Sequence, residues 1–320
     1  MRKTETDGTT MLHSVLQVRS RNELRVGGAS AAPGHLLSAA SGLVQRQGRL
    51  YVIADDEHQL AVIDAASATG HWVRMFDGEL PDAPKARKAA KPDLETLLEL
   101  PPASELLHGG LLALGSGSRA NRCHGVILAF DARGELTEPR LIDMAALYAP
   151  LQSDLGDLNI EGAVLRGDDL LLLHRANQSQ PRNACLRFAW LEVWRWLQGG
   201  GGAVPLARDT VDYDLGAIDD VALGFTDANA LPAGQWLFSA VAEATHDSYH
   251  DGVCVGTAIG IVAADGRLRA LHRLAGRWKV EGVAATVLAD AQTLELTLVT
   301  DADDRSQPAS CLTVQLALGA

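Results

Sequence analysis

Five short stretches of the sequence place a hydroxyl or carboxylate residue at the start of an apolar run. The residues are Ser41, Glu95, Glu161, Asp219 and Glu281, and successive members lie between 54 and 66 positions apart. Such a set offers only oxygen ligands, which favours Ca²⁺, with Mg²⁺ or Mn²⁺ as alternatives, over Zn²⁺. Brought together, the carboxylates would repel one another unless protons, basic residues or a cation compensated them. We therefore predict that these five residues surround one divalent cation.

The segments that must position these residues form a degenerate repeat. The first unit reads "SGLVQRQ", "GRLYVIA", "DDEHQ" and "LAVIDA", and the other units also alternate apolar runs with short polar turns. Runs such as "LYVIA" and "DLLLLH" are apolar on both strand faces, as in a sheet covered on both sides. Units of about 40–65 residues with three or four strands each indicate an all-β fold, a β-propeller.

Five units account for the chain, which predicts a single five-bladed domain over residues 1–320, with blades starting near 41, 95, 161, 219 and 281. The last unit has room for only three strands, and residues 12–20 could supply its fourth. The N- and C-terminal strands would then close the ring. A six-bladed ring is the alternative, but it would need most of a blade from residues 1–40.

The cysteines support the same division. Cys123, Cys185, Cys254 and Cys311 each stand at the head of a third apolar run in a different unit. A ring keeps these places a blade apart, so we predict four free thiols, as is usual for a cytoplasmic chain.

A few segments between the runs have local signals of their own. The stretch "DAPKARKAAKP" resembles a solvated loop, and "DMAALYAPL" a helical turn between the second and third blades. "LEVWRWLQGGGG" could be a short helix that stops at glycine, and "KPDLETLLEL" could be a helix on its own propensity, although tertiary context often overrides such a preference.

In a propeller the first strand of every blade lines the central channel, and the loop after the second strand reaches the same face. The carboxylates would therefore share this face with polar loop residues. The alternative to a metal is that each Glu caps backbone N–H groups or pairs with a loop arginine. The loop candidates for catalysis or substrate binding are Asp55, Asp56, Arg119, Arg175, Asn177 and Arg305.

Composition restricts the partners. The formal net charge of -12 argues against nucleic acid or an anionic membrane as the main partner, since both require a basic surface. The polar start "MRKTETDGTTML" lacks the apolar core of a signal peptide, and no apolar run is long enough to span a membrane. We expect a cytoplasmic protein with a small-molecule substrate or ligand. The sequence does not indicate an oligomeric state.

With these residues in view, the chain resembles the soluble calcium-activated nucleotidases, the apyrase family. "SGLVQRQGRLYVIADDEHQLAVID" is similar to that family's first blade, "IEGAVLRGDDLLLLHRA" to its third and "KVEGVAA" to its last. The resemblance implies a five-bladed propeller with Ca²⁺ in its channel, held by Ser41, Glu95, Glu161, Asp219 and Glu281. The family has Ser where this chain has Asp219. The "EG" strand starts also resemble esterase-like domains associated with phytases and bacterial propellers of unknown function.

The same resemblance matches Asp55 or Asp56 to the family's catalytic acid and Arg175 to a phosphate-binding arginine. Glu57 replaces the family's arginine after the "DD" pair, and "HRAN" has one arginine where the family has two.

Three functions follow as hypotheses. The first is a metal-dependent phosphohydrolase acting on a nucleotide or other phosphate ester, in which Asp55 or Asp56 is the general base and Arg175 stabilises charge. The second is a non-enzymatic propeller whose metal is structural and whose upper face binds a small ligand or protein. The third is a lactonase or esterase that uses a similar metal.

Overall fold

The computed structural model describes residues 2–3, 14–27, 36–177, 181–199, 202–244 and 252–318. These residues form five antiparallel β-sheets whose first long strands contact one another in sequence around a central channel. The predicted five-bladed β-propeller is confirmed.

Four short strands precede the first blade. They are β1 (Arg2–Lys3), β2 (Val15–Leu16), β3 (Val18–Glu23) and β4 (Arg25–Val26). Blade one consists of β5 (Ala40–Arg46), β6 (Arg49–Ala54), β7 (Gln59–Asp64) and β8 (Thr69–Arg74). Helix α1 (Pro84–Ala90) follows it. Blade two consists of β9 (Leu94–Leu100), β10 (Gly110–Gly115), β11 (His124–Ala129) and β12 (Arg140–Asp143), followed by α2 (Ala145–Leu155).

The remaining three blades complete the ring. Blade three consists of β13 (Ile160–Arg166), β14 (Asp169–His174), β15 (Asn183–Ala189), α3 (Trp190–Leu197) and β16 (Asp209–Tyr213). Blade four consists of β17 (Ala217–Ile218), β18 (Val221–Ala230), β19 (Trp236–Glu243), β20 (Cys254–Val262) and β21 (Leu268–Leu274). Blade five consists of β22 (Val280–Val287), β23 (Thr293–Thr300) and β24 (Ser310–Ala317).

The ring closes through its N-terminal part. Strand β3 pairs antiparallel with β24 and supplies the fourth strand of blade five, as the sequence predicted. Its range is Val18–Glu23 rather than 12–20, and residues 12–13 lie outside the described residues. Strands β1, β2 and β4 add parallel edges to blades three, four and one, which the sequence did not predict.

Burial explains the apolar runs of the sequence. Leu50 to Ala54 of β6 and Leu170 to His174 of β14 are buried without alternation, because each blade packs between two neighbours. Of the local signals, α2 and α3 agree with the predicted helical segments. In contrast, "DLETLLEL" forms strand β9, since its leucines pack against both neighbouring blades.

The inner strands approach closely just below their starts. A Cβ on Gly162 of β13 would lie 3.1 Å from the Cα of Asp227 in β18, so glycine lets these two strands meet. The fully buried carboxylate of Asp227 accepts a hydrogen bond from the Val283 N–H at 2.8 Å and so ties blade four to blade five. At one end of the channel, the charged residues described below form a region that we call the mouth.

Each cysteine is a free thiol in a different blade, at or beside the start of the third strand. Burial raises the pKa of Cys185 to about 12 and those of Cys254 and Cys311 to about 11, so all three thiols stay protonated and unreactive at neutral pH.

Candidate functional site

Every inner strand carries a β-bulge, which in four of the five lies at the second residue of the strand. The extra residue in each bulge interrupts the pairing with the neighbouring strand of the same blade. The bulge residues are Ser41, Glu95, Glu161, Thr226 and Glu281. Four of the five residues that the sequence placed at strand starts therefore lie at bulges of the inner strands.

Asp219 is the exception and requires a correction. It lies in the turn between β17 and β18, where its side chain is 58% exposed and pairs with Arg273 of the outer strand β21 at 3.3 Å. Strand β18 is longer than the other inner strands, so its bulge comes seven residues later, at Thr226. Asp219 therefore cannot be a ring residue.

The two hydroxyl members of the ring join neighbouring blades. Ser41 Oγ donates a hydrogen bond to the Leu94 carbonyl at 2.6 Å, and Thr226 Oγ1 donates to the Val280 carbonyl at 2.8 Å. In both cases the acceptor precedes the Glu of the next blade, Glu95 or Glu281. Both hydroxyls therefore fix the backbone that presents a carboxylate.

Arg175 follows β14 directly and fills the mouth beside blades three, four and five. Its Nη1 lies 3.3 Å from Glu161 Oε2 and 3.7 Å from Glu281 Oε1, and its Nη2 donates to Glu243 Oε2 at 2.6 Å. A Cβ on Gly224 would lie 2.8 Å from the Arg175 Cγ, so the glycine leaves space for the arginine to reach inward. The guanidinium faces carboxylates, and Arg175 as a whole is only 9% exposed.

Lys279 supplies the second cation of this region. Its Nζ lies 2.9 Å from Asp301 Oδ2, 3.5 Å from Glu243 Oε1 and 3.9 Å from Glu281 Oε1. We call Glu161, Arg175, Glu243, Lys279, Glu281 and Asp301 the arginine half of the mouth.

The opposite side of the mouth belongs to blades one and two. Lys91, just after α1, forms ion pairs with Asp55 and with Asp93, the latter at 2.8 Å. Asp93 also accepts hydrogen bonds from Arg122 at 2.9 Å and from Ser116. We call Asp55, Lys91, Asp93, Glu95 and Arg122 the aspartate half.

Three carboxylates of the aspartate half converge. Asp55, Asp93 and Glu95 each offer one oxygen, and these oxygens all lie within 4.8 Å of one another. Asp93 Oδ1 contacts Lys91 and its Oδ2 contacts Arg122, whereas Glu95 has no ion pair or hydrogen bond within the described part of the chain. The trio could hold a hard cation.

The mouth is short of positive charge. The two halves together hold seven carboxylates and only four cations, Lys91, Arg122, Arg175 and Lys279. Burial, reinforced by neighbouring carboxylates, raises the pKa of Glu95 well above its ordinary value. Burial also raises the pKa of Glu281, although Arg175 and Lys279 oppose this shift. The excess negative charge favours the uptake of a proton or a cation.

The two aspartates of the aspartate half, Asp55 and Asp93, differ in pKa. Burial raises the pKa of Asp55 to about 7 despite the charge of Lys91, and Asp56 adds to the rise. Burial would also raise the pKa of Asp93, but Lys91 and Arg122 outweigh it and hold that pKa below its ordinary value.

The axial cation implied by the apyrase resemblance does not fit the ring as predicted. Arg175 already contacts two of the ring carboxylates, Glu161 and Glu281, and Thr226 stands in place of an acidic Asp219. The alternative of arginine pairing accounts for this side of the mouth. The convergent trio of Asp55, Asp93 and Glu95 provides donor chemistry that a hard cation prefers.

The second aspartate of the "DD" pair lies against α1. Arg87 Nε donates to Asp56 Oδ2 at 3.0 Å, and its Nη2 donates to Glu57 at 2.7 Å. The segment predicted as a solvated loop thus forms a helix and contributes the buried Arg87, followed by Lys91. The acidic "DDE" stretch attracts these cations because its own charges would otherwise be unpaired.

The three candidates for substrate binding do not form a cluster by their described contacts. Arg305 is half exposed and lies 3.7 Å from Asp56. Asn177 donates to Asp157 at 2.8 Å, and Arg119 precedes the short 3₁₀ turn Ala120–Arg122 of blade two. Their role in binding stays a prediction.

Sequence reasoning missed several residues of the mouth. Lys91, Asp93, Glu243 and Lys279 have no spacing or motif that distinguishes them from surface charges. Thr226 had a weak signal, since "GFTDAN" places a hydroxyl at a strand position similar to that of Ser41.

No helix in the described ranges is long and apolar enough to cross a membrane.

Comparisons with solved structures find distant matches. The catalytic domain of the GH62 α-L-arabinofuranosidase from Coprinopsis cinerea is 12% identical, with a TM-score of 0.48 over 94% of this chain and 96% of that chain. The calcium-binding protein regucalcin from Agrobacterium tumefaciens is 11% identical, with a TM-score of 0.45 over 95% of both chains.

The arabinanase Arb43A from Bacillus subtilis is 11% identical, with a TM-score of 0.41 over 87% of this chain and 94% of that chain. These similarities are too low to transfer a function. No curated protein matches the sequence significantly. Residues 36–316 match a sequence family described as a family of unknown function, DUF6929, and the chain belongs to that family.

Proposed function

We propose that the aspartate half binds one hard divalent cation, Ca²⁺ or alternatively Mg²⁺ or Mn²⁺, and that the protein is a metal-dependent hydrolase. The observation that carries this proposal is the convergence of Asp55, Asp93 and Glu95, whose oxygens lie within 4.8 Å of one another. Ser116 and Arg122 support it, because they hold Asp93 in place through Oδ2 at 2.5 Å and 2.9 Å.

A cation bound there would polarise an ester oxygen and lower the pKa of a bound water. The chain's own contribution is to orient the groups around it. With Asp55 acting as a ligand, Asp56 is the candidate general base, since it follows directly in the chain and its orientation is fixed by Arg87. Arg305, half exposed and 3.7 Å from Asp56, is the residue that would contact the substrate at the rim.

The resemblance to calcium-activated nucleotidases supports a phosphate ester, including a nucleotide, as substrate. Because carboxylates outnumber cations in the mouth, a phosphate would bind as a complex with the divalent ion rather than to Arg175, which is held by Glu161 and Glu243. The same negative mouth favours an uncharged ester or lactone as the second candidate, because such a substrate brings no further negative charge.

Hydrolysis assays with nucleoside diphosphates, phosphate monoesters and lactones, each with Ca²⁺, Mg²⁺ or Mn²⁺, test the proposal. Asp55→Asn should lower the metal-dependent rate by about 10²–10⁴-fold. Asp77→Asn, a change of the same kind at an exposed position, should leave it unchanged. If every substrate fails while Ca²⁺ still binds through Asp93, the propeller is a non-enzymatic metal-binding protein. If Asp55→Asn retains full activity, the proposed centre is wrong.

A further inference from the structure

The arginine half differs from an ordinary buried ion pair because one cation is shared by three acidic side chains from different strands. Glu161 comes from the inner strand of blade three, Glu243 from the end of β19 in blade four and Glu281 from the inner strand of blade five. The Arg175 guanidinium contacts all three, at 3.3, 2.6 and 3.7 Å. This is the arrangement of a cation surrounded by oxygen ligands.

Other features show that the surroundings of the Arg175 guanidinium suit a cation. The absence of a side chain at Gly224 leaves room for the Arg175 stem. Asn159 donates to Glu161 Oε1 at 2.5 Å, and the Gly252 N–H donates to Glu243 Oε1 at 2.9 Å, so both carboxylates are held from outside. Their other oxygens, Oε2 in each case, are the ones that face Arg175.

Glu281 provides an independent observation. It is 5% exposed, and neither of its carboxylate oxygens has a hydrogen-bond partner among the described residues. Its compensation is purely electrostatic, from Arg175 at 3.7 Å and Lys279 at 3.9 Å. A buried carboxylate without hydrogen bonds is costly, and two oxygens without hydrogen-bond partners are what an incoming metal ion would use.

We infer that Arg175 is the resident cation of the arginine half, and that Glu161, Glu243 and Glu281 form a latent site for Ca²⁺ that becomes available when residue 175 is uncharged. In the native protein the guanidinium takes the place of a divalent ion on this side of the mouth. Metal binding and hydrolysis by the aspartate half do not depend on this inference, because it uses neither Asp55 nor Asp93.

The test compares Ca²⁺ binding by the full-length chain and by Arg175→Met, using equilibrium dialysis with radioactive Ca²⁺. The variant should bind one more equivalent than the native protein. Arg175→Lys retains a positive charge and is the matched control, so it should gain no site or bind Ca²⁺ more than about tenfold more weakly than Arg175→Met. The double variant Arg175→Met, Glu243→Gln should lose the extra equivalent.

Removal of Arg175 leaves Lys279 as the remaining cation beside Glu243 and Glu281, so Arg175→Met could unfold in a chelator. Circular dichroism then serves as the readout, and Ca²⁺ should restore the folded spectrum to Arg175→Met but not to the double variant. Equal stoichiometry in Arg175→Met and the native chain, or an unfolded variant that Ca²⁺ does not restore, would overturn the inference. Asp93→Asn in the native background reports separately on the aspartate half, so failure of one proposal leaves the other measurable.

Discussion

The two halves of the mouth both bring several carboxylates together, but they compensate the negative charge in different ways. In the arginine half the chain supplies its own cations, and Arg175 and Lys279 both contact Glu243 and Glu281. In the aspartate half Lys91 and Arg122 both bind Asp93, which leaves Glu95 without an ion pair among the described residues. One side is compensated by side chains, whereas the other retains oxygens for an external ion.

The largest effect that this contrast predicts is on Lys279. Lys279→Met removes a cation from Glu243, Glu281 and Asp301 in a buried region, and should lower the free energy of unfolding by about 3–5 kcal/mol. Urea unfolding followed by circular dichroism measures it. Arg267→Met breaks an exposed pair and should cost less than about 1 kcal/mol. Equal losses would show that the arginine half is not a compensated cluster.

The second prediction concerns Lys91 on the other side. Lys91→Met should also destabilise the protein, but Ca²⁺ should reverse much of the loss because Lys91 would no longer compete with the ion for Asp55 and Asp93. At a hundredfold excess over Kd, an ion that binds only the folded state adds about 2.7 kcal/mol. Thermal melts with and without Ca²⁺ test this. A Ca²⁺ response as large in Lys279→Met would remove the distinction between the halves.

The third prediction is a pH dependence. The pKa of Glu281 is raised in the folded protein, mainly by burial, while Arg175 and Lys279 lower it and Glu161 and Glu243 raise it. The folded state therefore holds this proton more tightly than the unfolded state, and stability falls as pH rises above the unfolded value of about 4.5.

Glu281→Gln should remove this part of the slope, which is at most about 1.4 kcal/mol per pH unit for one carboxyl. Chelator-treated protein unfolded in urea at several pH values between 4.5 and neutrality gives the measurement. An unchanged slope in the variant would mean that Glu281 is ionised throughout.

The smallest predicted effect separates the true bulge residue of blade four from the one that the sequence indicated. Thr226→Val removes the hydrogen bond to the Val280 carbonyl and should cost about 1 kcal/mol. Asp219→Asn removes only an exposed contact to Arg273 and should cost less, without changing the response to Ca²⁺. A weaker Ca²⁺ response in Asp219→Asn would contradict the placement of that residue.

The fold was predictable because each blade repeats the same apolar pattern, and Ser41, Glu95, Glu161 and Glu281 mark four inner strands. The prediction for the fourth blade was wrong because "AIDD" resembles the short motifs that mark the other inner strands. In the longer β18 the bulge lies at Thr226 instead.

The compensating charges could not be predicted in the same way. Lys91 and Lys279 are largely covered because the fold brings carboxylates from distant parts of the sequence to them, Asp55 to Lys91 and Glu243 and Asp301 to Lys279. A lysine at the end of a polar segment is ordinarily solvated, and no local pattern distinguishes these two. Glu243 is similar, since no local pattern marks the last residue of β19 as part of the mouth.

The seam between β3 and β24 has a consequence for biosynthesis. Arg21 and Ser310 bond across it although they are 289 positions apart, so the first strand of that pair leaves the ribosome long before its partner exists. Contacts between such distant segments form slowly. Until the last strand emerges, β3 lacks its partner, the circle of blades stays open and the carboxylates of the first and last blades have not met. The ring should therefore close only after β24 has been synthesised, and a chaperone bound to β3 would delay that step most.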